Sequence, residues 1–170
     1  MKRILAIVFG LFIFTGLFAQ EQDLDLQYAT ELLKPGTPAP DFTLTDINGN
    51  SLSLRDLLGR NVVLVFWASW CPDCRAEVPD LKYMQTKADP RKVAFVAVSF
   101  DRTKDAWEKY VKENEMTGIQ LFETAPRKES FVNEAYHVKW IPSIYLIDEQ
   151  GKVTLSTVVL DKVAKALDIK

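Results

Sequence analysis

The chain has two cysteines, Cys71 and Cys74, separated by Pro72 and Asp73. Two thiols three residues apart can face each other across one helical turn and close into a disulfide. Pro72 occupies the place of a first helical residue, where its fixed φ suits the helix and its missing N–H is no loss. The free N–H groups and positive end of a helix at that point favour an anion and bias Cys71 towards thiolate. Asp73 sets a negative charge nearby that opposes this bias. The pattern describes a dithiol that opens and closes rather than a structural staple. A bridge over so small a loop removes little unfolded-state entropy, and a domain of this size needs none.

The elements that must hold this pair are legible around it. Val62 to Phe66 is an uninterrupted apolar run rich in β-branched residues, which reads as a strand buried on both faces. It delivers Trp67-Ala68-Ser69-Trp70 to the cysteines, and a helix follows to about Lys87, kinked by Pro79. Val93 to Val98 is a second buried strand. Strand, helix, strand at this spacing is a parallel, right-handed βαβ unit.

Before this unit, Phe42 and Leu44, then Leu52 and Leu54, alternate around Asn48-Gly49 and form a small hairpin. Arg55 to Gly59 makes a brief helical turn that stops at the glycine. After it, a helix from about Lys104 to Asn114 turns Trp107, Tyr110 and Val111 to the core. A short strand spans 119–122. A helix from about Lys128 to Tyr136 offers Phe131, Val132, Ala135 and Tyr136. Strands at 143–147 and 152–156 are joined through Asp148-Glu149-Gln150-Gly151, and a helix at about 158–167 closes the chain, with Lys162 and Lys165 suited to its negative end.

The first stretch differs in kind. Lys2 and Arg3 precede an apolar run from Ile4 to Phe18, then Ala19 and polar sequence. This is the pattern of an export signal covering residues 1–19, with an uncleaved membrane anchor as the rival. The run is shorter than the roughly 20 residues a spanning helix wants. Either way the folded part lies outside the cytoplasm, in the periplasm of a cell that has one. Residues 20–37 read as a mobile polar leader, with acidic pairs such as Asp23/Asp25 solvated, and residues 38–170 as the domain. The formal net charge is −2, with no basic excess to suggest nucleic acid.

The order of elements, with the cysteine pair at the first helix and Trp140-Ile141-Pro142-Ser143 ahead of a strand, resembles the thioredoxin fold over about residues 38–168. The fold class implied is α/β: a central mixed sheet flanked by helices. The leading hairpin and the added central helix look most like the exported TlpA/ResA-like branch of thiol–disulfide oxidoreductases. The resemblance implies Cys71 as nucleophile, Cys74 as resolving cysteine and Pro142 as a cis-proline beside the dithiol. Glu77 matches an acid found near the active site in that branch, and Val65 stands where thioredoxin has a buried aspartate. Glu77 is therefore the candidate internal base. Trp70, Pro72, Asp73, Ile141 and Pro142 are the expected substrate-contacting residues. The branch acts on protein disulfides, often reducing apocytochrome c, draws electrons from a membrane thiol donor and needs no cofactor or metal. Two departures stand out: Asp73 where the branch more often has proline, and Ile141 where it often has threonine.

Other chemistry finds little purchase. His137 is the only histidine, and with two cysteines it supplies at most three zinc ligands; a helix-end or surface position suits it better. No phosphate-binding glycine loop, HExxH or GxSxG element is present. Within the same fold, a thiol peroxidase and a non-catalytic binding module are the alternatives. Within the leading class, an oxidant is the alternative to a reductant.

Overall fold

In the computed structural model the described residues are 23–169; the predicted export segment lies outside them. They form helix α1 (Leu24–Tyr28), strands β1 (Thr43–Asp46) and β2 (Ser51–Ser53), β3 (Asn61–Trp67), helices α2 (Pro72–Ala76) and α3 (Val78–Lys87), β4 (Val93–Ser99), α4 (Lys104–Glu113), β5 (Ile119–Phe122), α5 (Phe131–Ala135), β6 (Ser143–Ile147), β7 (Val153–Thr157) and α6 (Leu160–Ala166). One mixed seven-stranded sheet runs in the order β2-β1-β5-β4-β3-β6-β7. β3 lies at its centre, parallel to β4 and antiparallel to β6. That position explains its composition, since Val62 to Trp67 are all buried. The expected hairpin is present, with Leu44 opposite Leu52, and its first strand pairs antiparallel with β5.

Alternate side chains of β3 leave on opposite faces of the sheet. Phe66 packs against Phe100, Tyr136 and Tyr145. Val65 and Trp67, on the other face, reach Cys74, Leu81 and Leu160. Trp107 and Val111 of α4 are buried, and Trp107 stacks on Phe122.

Expectations about the helices are corrected. The helix after the cysteines is two helices, because Pro79 has no N–H to give Arg75 and its ring crowds that carbonyl; the chain breaks at Glu77 and restarts with Pro79 in the first turn of α3. Phe131, expected in the core, is exposed. The segment from Lys128 is a separate turn at 127–129, and α5 begins only at its cap, Ser130. That restart aims Val132 and Tyr136, four residues apart, inward and leaves Phe131 outward.

The leader from residue 23 onward is docked rather than free. Ala29 and Leu32 are buried, and the Gly36 and Ala39 amides donate to the carbonyls of Val153 and Gly151. Asp25 is not simply solvated: its carboxylate accepts from the Thr157 hydroxyl and the Val158 amide, both at 2.8 Å, and pairs with Lys162 at 2.7 Å. Asp23 also pairs with Lys162. Lys162 thus serves the leader rather than the end of its own helix. His137 is exposed, takes φ +53 just beyond α5, and its Nδ1 lies 3.0 Å from the Glu31 carbonyl oxygen.

Candidate active site

The pairing of β3 with its two neighbours builds the site. Parallel pairing with β4 sets Trp67 opposite Ser99, so the loops leaving both strands emerge at the same edge. Antiparallel pairing with β6 sets Phe66 opposite Ser143, which brings the residues just before β6 to that edge as well. Ligand sites in sheets of this kind lie beyond the carboxyl ends of the parallel strands.

The cysteines are there. Cys71 is the N-cap of α2 and its Sγ accepts the Cys74 amide at 3.3 Å. The two Sγ atoms are 2.7 Å apart, and both residues are largely buried. The Ile141 carbonyl oxygen lies 3.5 Å from Cys71 Sγ, and the Ile141–Pro142 peptide is cis. Ser143 ties this turn by donating to the Trp140 carbonyl at 2.7 Å. Pro72 and Asp73 are exposed in the first turn of α2. Trp70 is 51% exposed, so most of its ring faces solvent beside Cys71. Trp140 is different: Tyr28 of the leader stacks on it at 4.2 Å.

Beneath Cys74 lies a small cavity of about 20 Å³, walled mainly by Val65, Val78, Leu81, Ala97, Met116 and Leu160, with Glu77 and Trp67 on its polar side. Burial pushes the Glu77 carboxyl up from its ordinary 4.5 to about 7; an N–H from Leu160 pulls it down, and Asp80, Asp73 and Asp161 push it further up. The Cys74 thiol is also pushed up, first by burial, then by the hydrogen bond with Cys71, with the Glu77 charge adding to it. A half-buried acid with a raised pKa beside a buried thiol is the arrangement proton transfer requires. Val65, in the same wall, has no proton to exchange.

Two carboxylates that sequence reasoning passed over hold the loops. Asp101, buried two residues past β4, accepts from the Ser69 amide at 3.0 Å, the Ser69 hydroxyl at 2.6 Å and the Ser99 hydroxyl at 2.7 Å. Glu123, buried just after β5, accepts from the Ala125 amide at 2.9 Å and the Ser130 hydroxyl at 2.6 Å. The signal for both was an acid just past a predicted strand, where a loop amide needs an acceptor.

Residues 35–156 match the model of the AhpC/TSA family. The chain belongs to that family. It is 31% identical over 144 residues to the thiol-disulfide oxidoreductase ResA of Bacillus cereus, covering 85% of this chain and 76% of that protein. It is 36% identical over 121 residues to the thioredoxin-like protein YneN of Bacillus subtilis, covering 71% and 69%. Among solved structures, the thioredoxin domain of a thiol-disulfide oxidoreductase from Bacteroides vulgatus superposes with a TM-score of 0.71 at 30% identity, over 79% of this chain and 99% of that one. A putative thiol:disulfide interchange protein DsbE from Chlorobium tepidum gives 0.70 at 34% identity, over 79% and 94%. The fold of this family member is thioredoxin-like, and with these relatives its enzyme class is thiol–disulfide oxidoreductase. Among the described residues no cluster of histidine, cysteine and acid side chains could hold a metal ion, and no helix is long and apolar enough to cross a membrane.

Proposed function

We propose that the chain reduces disulfides in partner proteins through Cys71 and Cys74. The observation that carries this reading is the sulfur pair, 2.7 Å apart at the head of α2 beside the Ile141–Pro142 turn. Cys71 thiolate attacks one sulfur of the partner's disulfide. A Cys71–partner bond forms, the partner's S–S bond breaks, and the leaving thiolate takes a proton from water. Cys74 then gives up its proton and attacks Cys71 Sγ, which expels the second partner thiolate. Two electrons pass to the partner, and Cys71–Cys74 is left as a disulfide.

Burial holds the Cys74 proton tightly, so the second attack needs a base. Glu77, poised at about 7, is that base. The cavity between them has room for one water. Trp67, whose indole N–H is buried without a hydrogen-bond partner, lines the same space as Glu77 and Cys74. A water held there would carry the proton from thiol to carboxylate.

Trp70 and the Ile141–Pro142 turn receive the partner, with Pro72 and Asp73 at its margin. The chain works outside the cytoplasm, exported or tethered through residues 1–19. Its dithiol is restored by a membrane thiol donor, and apocytochrome c is among its candidate substrates. Against the peroxidase alternative stands the close approach of a second thiol to Cys71. The deciding experiment is insulin-disulfide reduction with dithiothreitol as recycling reductant, together with the reduction potential of the pair. Turnover and a potential well below that of glutathione support the reading; no turnover, or a potential well above it, overturns it.

A further inference from the structure

A groove of about 800 Å³ opens beside Trp70, walled by residues 100–102, 124–129 and 138–139 with Asn133. It is separate from the apolar cavity under Cys74. Trp70 adjoins Cys71, and Lys139 leads into the Trp140-Ile141-Pro142 turn, so the groove opens beside the dithiol. Its charge is unlike that of the chain, which is net acidic. Arg102, Arg127, Lys128 and Lys139 line it against two acids, Asp101 and Glu129. Asp101 is already committed to Ser69 and Ser99. Among the described residues none of the four cations forms an ion pair.

Arg127 is the built part of this surface. It is half-buried, its Nε donates to Asn133 Oδ1 at 3.0 Å, and a second nitrogen donates to the Val138 carbonyl at 3.0 Å. Its guanidinium lies over the Phe100 ring at 5.8 Å. The segment that carries it is pinned at both ends by Glu123, through Ala125 and Ser130. Burial pushes the Arg127 pKa down, and the charges of Cys74 and Cys71 act in the opposite sense, which places the cation within electrostatic reach of the dithiol. A guanidinium partly withdrawn from water and left without a carboxylate bears a desolvation cost that an incoming anion offsets.

We infer that this groove docks an extended, carboxylate-bearing segment of the partner protein, next to the disulfide that Cys71 attacks. The inference rests on the reductase reading above and names the substrate class of that same site. Trp70 supplies an apolar wall and the four cations supply charge selection, which governs encounter and specificity more than bulk affinity.

The test uses the full chain and peptides of one length. Each peptide carries a cysteine in mixed disulfide with uncharged 2-mercaptoethanol, flanked by Glu, Gln or Lys. The Glu peptide is expected to show a kcat/KM about tenfold above the Gln peptide at low ionic strength, with the Lys peptide below both. The ratio is expected to shrink at high salt and to fall towards one in an Arg102→Gln, Lys139→Gln double variant. Equal rates for Glu and Gln peptides, or a preference untouched by the double variant, overturn the inference. Oxidised glutathione, a small disulfide rich in carboxylates, is run alongside: a salt-sensitive rate equal to that of the Glu peptide, and lost in the double variant, makes the occupant a small disulfide and overturns the peptide assignment. Binding of the same peptides, with Ser for Cys, to the oxidised chain is read by calorimetry. Tighter binding of the Glu peptide supports the groove even if no disulfide is turned over, whereas loss of turnover with every substrate is a failure of the reductase reading.

Discussion

Asp101 holds Ser69 by both its amide and its hydroxyl, at 3.0 and 2.6 Å. Ser69 stands two residues before Cys71, so a carboxylate just past β4 fixes the loop that leads to the cysteine pair. Asp101→Ala leaves three donors without their acceptor in a buried place and is expected to cost about 2–4 kcal/mol. Thermal unfolding measures the cost, and faster hydrogen exchange at the Ser69 amide locates it. A stability within error of the parent contradicts this account.

Glu77 makes stability and reactivity pull in opposite directions. Its carboxyl titrates at about 7 in the fold against an ordinary 4.5. Between those values the folded chain keeps the proton and the unfolded chain releases it, so stability falls as pH rises through this window. Above it the full cost of the buried charge is present. Glu77→Gln is therefore expected to stabilise the chain by roughly 2–3 kcal/mol at pH 8 and by little at pH 4. The same variant should slow release of the partner while leaving the first attack by Cys71 intact. Denaturant titrations at the two pH values, with stopped-flow measurement of both steps, check this; a Gln variant less stable at pH 8 would sink the assignment.

In the proposed mechanism Cys74 resolves the mixed disulfide, and Cys74→Ser removes that thiol. Incubation with a disulfide protein should accumulate a covalent complex through Cys71, visible on a non-reducing gel and lost on adding dithiothreitol. Cys71→Ser should give no complex, since the remaining thiol is buried and holds its proton. Equal trapping by both variants would refute the order of attack.

Asp25 ties the leader to the start of α6. Replacing it by Ala removes acceptors for Thr157, Val158 and Lys162 and is expected to cost about 1–2 kcal/mol. Cleavage by a protease within residues 23–33 should quicken at the same time. Because Tyr28 stacks on Trp140, one residue before the Ile141–Pro142 turn, insulin reduction by this variant reports whether the leader supports the site.

Gly118 enters β5 at φ +75, and an added Cβ would stand 2.9 Å from both the Phe95 carbonyl oxygen and Gln85 Nε2. The backbone oxygen cannot move aside as a side chain can. Gly118→Ala is expected to destabilise by about 1–3 kcal/mol without altering the reduction potential of the pair. Chemical denaturation and redox equilibration with glutathione measure the two quantities separately.

The sequence by itself determined the elements whose signal is local. A short continuous run rich in β-branched residues reads as a strand covered on both faces, and Pro72 between a strand and a helical pattern marks a helix start. Asn48-Gly49 between alternating apolar residues marks a hairpin. The cysteine spacing was enough to place both sulfurs on one turn, and the resemblance to the exported thioredoxin-like branch singled out Glu77. Tertiary structure decided what depends on partners far away in the chain. The leader is docked because Asp25 finds Thr157 and Lys162 more than 130 positions on, a meeting no local pattern encodes. Phe131 faces out because the helix register is set at Ser130, which Glu123 holds. Glu77 became an acid near 7 only when Val78, Leu81 and Leu160 closed around it and removed water, since a carboxyl's pKa is a property of its surroundings and not of its name.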